Sequence, residues 1–275
     1  MASLSAALEF ASATDPGRVR GHNEDSIGTD PDIGLAVLAD GMGGYNAGEV
    51  ASGIAVAVVS SEIKRVMAGR NLIRIDPATG LTEAERLAVE QAAKANTSIF
   101  EAARSQPQYS GMGTTLVLGL FFDNRLCVAH VGDSRLYRLR GESFQQITRD
   151  HSLLQEQIDS GMITREAAKL SQNKNLVTRA LGIDAEVETE VHVYDTQPGD
   201  TYLLCSDGLS DMVEDEDMQL TLSSLQANLQ LAADQLVQQA NDNGGRDNIS
   251  VILVRVKDDY AAPKGWMARL LSWFK

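Results

Sequence analysis

The feature that most constrains this chain is a strand-length apolar run that drives into a carboxylate and then a glycine turn. Leu35 to Ala39 is such a run, and Asp40 follows it, then Gly41-Met42-Gly43-Gly44. Glycine lets the backbone approach a neighbour closely, so this is how a strand can present an acidic side chain at its end. The same grammar returns at Tyr202-Leu203-Leu204-Cys205-Ser206-Asp207-Gly208. Asp133 ends the stretch Leu126 to Gly132, and Asp247 sits in Gly244-Gly245-Arg246-Asp247-Asn248 just ahead of the apolar run Ile249 to Val256. One Asp-Gly pair is an ordinary turn. Four aspartates in matching contexts read as one site for a hard cation, drawn from the whole chain.

No linker rich in Pro, Gly or Ser interrupts the 275 residues before position 258, so one domain, residues 1–258, is expected. Lys and Arg number 24 against 38 Asp and Glu, a formal charge of −14, which excludes nucleic acid as a partner because phosphate backbones select basic surfaces. Both cysteines, Cys127 and Cys205, lie in apolar runs and read as buried, inert thiols in a reducing compartment. Met1 to Phe10 has neither the basic start nor the apolar core of a secretory signal, and no segment approaches the length of a membrane span. These features predict a cytoplasmic protein.

Along the chain, strands are expected over residues 8–14, 114–122, 125–132, 135–140, 143–148, 187–194, 201–206 and 249–256. Helices are expected over 47–67, 82–104, 214–222 and 228–241, with Thr82 and Glu85 spaced as a capping box. The short links Asp123-Asn124, Asp133-Ser134 and Gly141-Glu142 suggest an antiparallel meander from 114 to 148. Residues 151–182 read as short helices and polar loop, with Ile163 to Glu166 a cap. Strand blocks separated by helix blocks, without strict alternation, point to an α+β layered fold. The tail 259–275 carries Trp266, Trp273 and Phe274 among basic residues. It reads either as a helix packed back on the domain or a partner, or as a membrane-surface contact.

Arg18 to Ser26 packs Arg20, His22, Glu24 and Asp25 into nine residues, a density that core packing does not explain. Aspartates and carbonyls suit Mg²⁺ or Mn²⁺, and no Cys/His cluster favours zinc. Two such ions sharing a carboxylate would suit phosphoryl hydrolysis, and the Arg20 fork could grip the phosphate. The glycine run after Asp40 lacks the Gly-Lys-Ser/Thr ending of a nucleotide-binding P-loop.

The segments Arg20-Gly21-His22-Asn23-Glu24-Asp25, Leu38 to Gly44, Gly111-Met112-Gly113-Thr114-Thr115, Val131 to Arg135, Leu204 to Leu209 and Arg246 to Ser250 resemble, in order, the motifs of the metal-dependent PPM, or type-2C, Ser/Thr protein phosphatases, in a bacterial variant. The resemblance spans about residues 8–256. It implies a central antiparallel β-sandwich flanked by helices on both sides, with two Mn²⁺ or Mg²⁺ ions in a cleft at one end. By position, Asp40 would bridge the ions, the Gly41 carbonyl would bind one, and Asp207 and Asp247 would complete the other. Glu24 and Asp25 match an acidic pair that orders metal-bound water or binds metal, and Arg20 matches a phosphate-binding arginine. Asp133 matches a ligand, with Asp207, of a third and weaker ion. Catalysis would rest on Arg20, Asp40, Asp207 and Asp247, and residues 151–182 would form a flap beside the site.

Two departures stand out. Met42 occupies the place where some relatives carry a general-acid His, leaving His22 or a metal-bound water for that task. Lys169 to Asn173 lacks the His-Pro pair common in bacterial flaps. His130, His151 and His192 are expected to be structural. The implied activity is hydrolysis of phosphoserine and phosphothreonine on proteins, opposing a bacterial Ser/Thr kinase; the rival reading is a phosphoprotein-binding relative without turnover.

Overall fold

Apolar alternation on both faces of the strands drives this chain into four layers. The computed structural model describes residues 3–44, 47–67, 70–164, 167–168 and 176–262. One antiparallel sheet has the order β1 (Leu8–Asp15), β11 (Ile249–Val256), β10 (Thr201–Cys205), β7 (Arg135–Arg140), β8 (Ser143–Gln146). The other runs β2 (Asp25–Asp30), β3 (Leu35–Met42), β5 (Leu116–Phe122), β6 (Arg125–Val131), β9 (Glu190–Asp195), with the short β4 (Gly113–Thr114) paired to the end of β3.

Successive side chains of a strand point to opposite faces. In β3, Ala36 and Leu38 therefore enter the core between the sheets with Val117, Phe121, Leu204 and Ile252. Leu35, Val37 and Ala39 face the other way, onto α1 (Ala47–Met67) and α2 (Glu83–Ser105). Behind the first sheet, Leu203, Val251 and Leu253 pack on α5 (Asp215–Ser224) and α6 (Leu229–Asp242). Burial on both faces explains why these strands read as continuous apolar runs. Each fully buried Leu, Ile or Phe contributes about 1.5–3 kcal/mol. Phe121 meets Tyr202 edge to face at 5.5 Å and so ties the two sheets together. The α+β sandwich expected from the sequence is the fold observed.

Local signals hold at the helix ends. Thr82 Oγ1 accepts from Glu85 N, and Thr82 N donates to Glu85 Oε2 at 2.7 Å, which closes the predicted capping box of α2. Two further short helices are α3 (Leu153–Asp159), capped by Ser152, and α4 (Asp207–Ser210). Thr164 Oγ1 accepts from Ala167 N at 3.2 Å, as a cap there would; Arg165 and Glu166 lie outside the described residues.

The meander expected from 114 to 148 does not form as such. β5 pairs with β6 and β7 with β8, but β6 and β7 belong to different sheets. Gly132, at φ +103°, turns the chain from one sheet to the other, a backbone conformation that glycine adopts without strain. The link at Asp133-Ser134 is therefore a corner, and it leaves Asp133 at the end of the sandwich. Strand β2 carries one large apolar residue, Ile27, and its pattern announces no strand.

The start of the tail packs back on the domain. Asn124 Nδ2 donates to Asp259 Oδ2 at 2.7 Å, Tyr260 is buried, and the Ala262 N–H donates to Asp123 Oδ1 at 2.7 Å. Residues 259–262 thus pack on the β5–β6 turn. The remainder of the tail, 263–275, and the flap segment Lys169 to Asn173 lie outside the described residues.

Candidate metal centre

Antiparallel pairing of β2 with β3 sets Asp25 directly opposite Asp40. Like charges in that position oppose strand pairing, so the arrangement has to be supported from elsewhere. It is braced heavily. Asp40 N donates to Thr115 Oγ1 at 3.0 Å, while the Thr114 hydroxyl and the Thr115 N–H both donate to the Asp40 carbonyl. Thr115 Oγ1 is itself bonded to Ser134 Oγ at 2.7 Å. The Gly-Thr-Thr segment is thus a clamp on the end of β3.

Asp207 opens α4 at the end of β10, and Asp247 precedes β11, the neighbour of β10. The strands of the two sheets deliver Asp25 and Asp40 from one side and Asp207 and Asp247 from the other. Ser206 Oγ donates to Asp25 Oδ2 at 2.8 Å and accepts from Ser250 N at 3.0 Å, joining the two halves. Two glycines allow the closeness. A methyl on Gly41 would overlap the Gly48 carbonyl at the start of α1, and one on Gly208 would overlap the Asn248 carbonyl.

The electrostatics are those of an acidic pit with excess negative charge. Burial pushes the Asp25 carboxyl up to about 6. Burial, then the neighbouring Asp150, does the same for Asp133, also to about 6. Asp40 is held well above the usual carboxylate range by burial and then by Asp25 and Asp207; Asp207 by burial and then by Asp133. Glu24 is raised by burial as well. Asp25 Oδ1 is buried with no hydrogen-bond partner. Among the described residues, Arg20 and Arg135 bear on the pit: Arg20 Nη2 donates to Asp247 Oδ2 at 2.7 Å while half its side chain stays exposed, and Arg135 acts on Asp133. A divalent ion fits this donor set: hard oxygen ligands, excess negative charge and an orphaned carboxylate oxygen.

The predicted residues are not all drawn together equally. Asp25, Asp40, Asp133, Asp207 and Asp247 act on one another electrostatically. Among the described residues, however, the one trio of ligand atoms mutually within 4.8 Å is His130, His151 and Glu190. Those residues lie where β6 pairs with β9, and their hydrogen bonds already commit them. His130 Nε2 bonds the Arg149 carbonyl at 2.8 Å, and His151 Nδ1 accepts from the Gly132 N–H at 3.2 Å. His151 therefore keeps its proton on Nε2, facing Glu190 Oε2 at 3.4 Å, and has no lone pair there for a cation. His192 bonds Glu190 Oε1 at 3.1 Å. These three histidines hold structure together, as the sequence suggested.

Sequence reasoning missed Ser206, Thr115 and the side chain of Asn248 as supports of the site. Their motifs gave a signal, but a polar residue beside an aspartate does not announce which distant backbone group it will bond. A cavity of about 270 Å³ opens next to the pit, between α4 and the base of the flap, lined by Arg135, Asp150, Ser152, Ser210 and Asp211 among others. None of the predicted metal ligands lines it.

Comparison with known proteins agrees with this geometry. The profile of the family described as protein phosphatase 2C matches residues 18–250. A serine/threonine phosphatase, Stp, of Listeria welshimeri is 39% identical over 247 residues, covering 88% of this chain and 93% of that one. The crystal structure of the Mycobacterium tuberculosis serine/threonine phosphatase PstP/Ppp superposes with a TM-score of 0.82 at 36% identity, covering 92% of this chain and all of that one. A structure of the PstP catalytic domain, in complex with two manganese ions, gives 0.79 at 37% identity over 92% and 99% of the two chains. Fold, ordered motifs and acidic centre converge with these matches: the chain belongs to the protein phosphatase 2C family.

Proposed function

We propose that this protein hydrolyses phosphoserine and phosphothreonine on other proteins in a reaction that depends on two Mn²⁺ or Mg²⁺ ions. The observation that carries the reading is the pit of buried and half-buried carboxylates with raised proton affinity and an orphaned Asp25 oxygen. Asp40, the Gly41 carbonyl, Asp207 and Asp247 would hold the two ions, with Glu24 and Asp25 holding or orienting their water ligands. Asp133, with Asp207, would take a third and weaker ion. When bound, such ions supply a water molecule of lowered pKa and neutralise charge on the phosphoryl oxygens.

The chain's own groups do the rest. Arg20, half exposed at the rim, offers its fork to two phosphoryl oxygens in exchange for its present contact with Asp247. Ser206 Oγ holds the Asp25 carboxylate and Thr115 Oγ1 holds the Asp40 backbone, which keeps the end of β3 in place against their mutual repulsion. Neither thiol serves as nucleophile: both are fully buried, with Cys205 pushed up to about 12 by burial and Cys127 raised for the same reason. This supports attack by water without a cysteinyl-phosphate intermediate.

The same reading takes residues 1–258 as the catalytic domain, 151–182 as its flap, and 259–275 as an accessory tail. It places the protein in the cytoplasm, opposing a Ser/Thr kinase, with phosphorylated proteins as substrates. Two unpaired, buried cysteines support a reducing compartment. No helix among the described residues is long and apolar enough to cross a membrane. The test is release of phosphate from a phosphothreonine peptide with Mn²⁺, with EDTA, and by the Asp207→Ala variant. Turnover that survives EDTA and the substitution would refute the proposal.

A further inference from the structure

Asn248 lies beside a proposed metal ligand, yet its side chain turns away from the carboxylates and into the loop that carries Arg20. Its Oδ1 accepts from the Glu24 N–H at 2.8 Å, and its Nδ2 donates to the Pro16 carbonyl at 3.0 Å and the His22 carbonyl at 2.8 Å. All three partners are backbone groups, and they flank Arg20 on both sides. The residue is 5% exposed and uses both amide hydrogens, so the contacts are made in a largely dry setting where each is hard to replace by water.

The loop has other anchors, and they show what Asn248 adds. Its entry is held by Arg18 N and Val19 N on the Gly245 carbonyl, at 2.7 and 3.3 Å. Its exit is held at the Glu24 carbonyl by Gly41 N and by Ser52 Oγ. Between them, Arg20, Gly21 and His22 are exposed. Asn248 is the link that draws entry and exit to one point and so fixes the span and direction of the segment bearing Arg20. The tie of Asn248 to Asp247, by contrast, is made by its backbone N–H to Asp247 Oδ1 at 2.9 Å, and survives a change of side chain.

We infer that Asn248 is a positioning residue for phosphate recognition, acting through Arg20; its side chain's one hydrogen bond with a residue of the metal centre is to the backbone of Glu24, whose carbonyl Gly41 N and Ser52 Oγ also hold. The inference rests on the phosphatase reading and deepens it. It assigns to Asn248 the job of reducing the entropy that the Arg20 loop would otherwise lose on gripping a phosphoryl group.

The experiment is a double-mutant cycle on the full chain with Mn²⁺: wild type, N248A, R20A and N248A/R20A, with N248D as a second single variant. Asn248→Asp keeps the shape and the acceptor for Glu24 N but loses both donations, so it reports even where the alanine variant folds poorly. The readouts are KM and kcat on a phosphothreonine peptide, inhibition by inorganic phosphate, and Mn²⁺ affinity by calorimetry. N248A and N248D should each raise KM about 5–20-fold and weaken phosphate inhibition in step, the loss of one to two buried hydrogen bonds. Mn²⁺ affinity should stay within about threefold, and the double variant should be no worse than R20A within about twofold. Multiplying effects of N248A and R20A, or an unchanged KM with weakened Mn²⁺ binding, would overturn the inference. If R20A by itself moves neither KM nor phosphate inhibition, the phosphate role of Arg20 fails first, and the inference falls with it.

Discussion

Replacing Asp25 by Asn should flatten the acid side of the stability curve of the metal-free protein. Burial raises the proton affinity of Asp25 from the ordinary 3.8 to about 6. The folded state then holds this proton more tightly than the unfolded chain does. The resulting stability is fully present below about pH 4 and is lost as pH rises through about 6. A shift of this size is worth roughly 3 kcal/mol, or about 6–12 °C in melting temperature for a chain of this length. Because Asp25 crowds against Asp40 and Asp247, the step belongs to the cluster and is spread over more than one pH unit. His130 and His151, whose pKa values burial lowers, act in the opposite sense: their neutral forms are favoured in the fold, and stability drops as pH falls through the ordinary histidine range. Both proteins share that contribution, so it cancels in the difference. The assay is thermal melting in EDTA from pH 4.5 to 7.5 for wild type and D25N. The gap should widen toward neutral pH in favour of the variant. Adding Mn²⁺ to about 1,000 times Kd should reverse the order at pH 7, since binding then stabilises the wild type by about 4.1 kcal/mol, more than the gap. A difference curve that is flat with pH would refute the claim that this carboxyl is buried against its neighbours without compensation.

Ser206→Ala removes the hydroxyl that orients Asp25 and should weaken Mn²⁺ binding about 10–100-fold, measured by calorimetry, with little change in fold by circular dichroism. Unchanged affinity would mean that the serine is only a packing residue. Gly208→Ala drives a methyl into the Asn248 carbonyl and should disrupt the centre far more than its small volume suggests; wild-type activity in that variant would contradict the packing described. Gln91 is fully buried on α2 and neither end of its amide has a hydrogen-bond partner. Gln91→Leu should therefore raise stability by about 1–2 kcal/mol in urea unfolding, and a loss instead would point to a partner for the amide.

The placement of Asp40 and Asp207 at strand ends was legible because strand, aspartate and glycine stand nearly consecutively there, and a short pattern suffices to place a side chain at a strand end. Ile249–Val256 was legible to the residue, since a strand buried on both faces is apolar throughout. Strand β2 was not: its sequence Asp25-Ser26-Ile27-Gly28-Thr29-Asp30 is made a strand by pairing with β3 and by α1, whose Val56 lies against Gly28. The corner at Gly132 escaped detection because a two-residue link has the same length whether it joins partners in one sheet or crosses between two. Ser206, Thr115 and Asn248 were hidden for a further reason. Each acts by bonding a residue far away in sequence, and no local pattern records that partner.

Strand β11 runs through the middle of its sheet, paired along its whole length with β1, from Leu8 opposite Val256 to Asp15 opposite Ile249. Among the described strands the first in sequence therefore waits for the last, and the closing of this long loop is a slow, late event in folding. Until it happens, Asp40 and Asp247 belong to separate pieces of chain. A polypeptide that has not yet reached β11 has no working centre, and dephosphorylation can begin only once that strand has been made and paired.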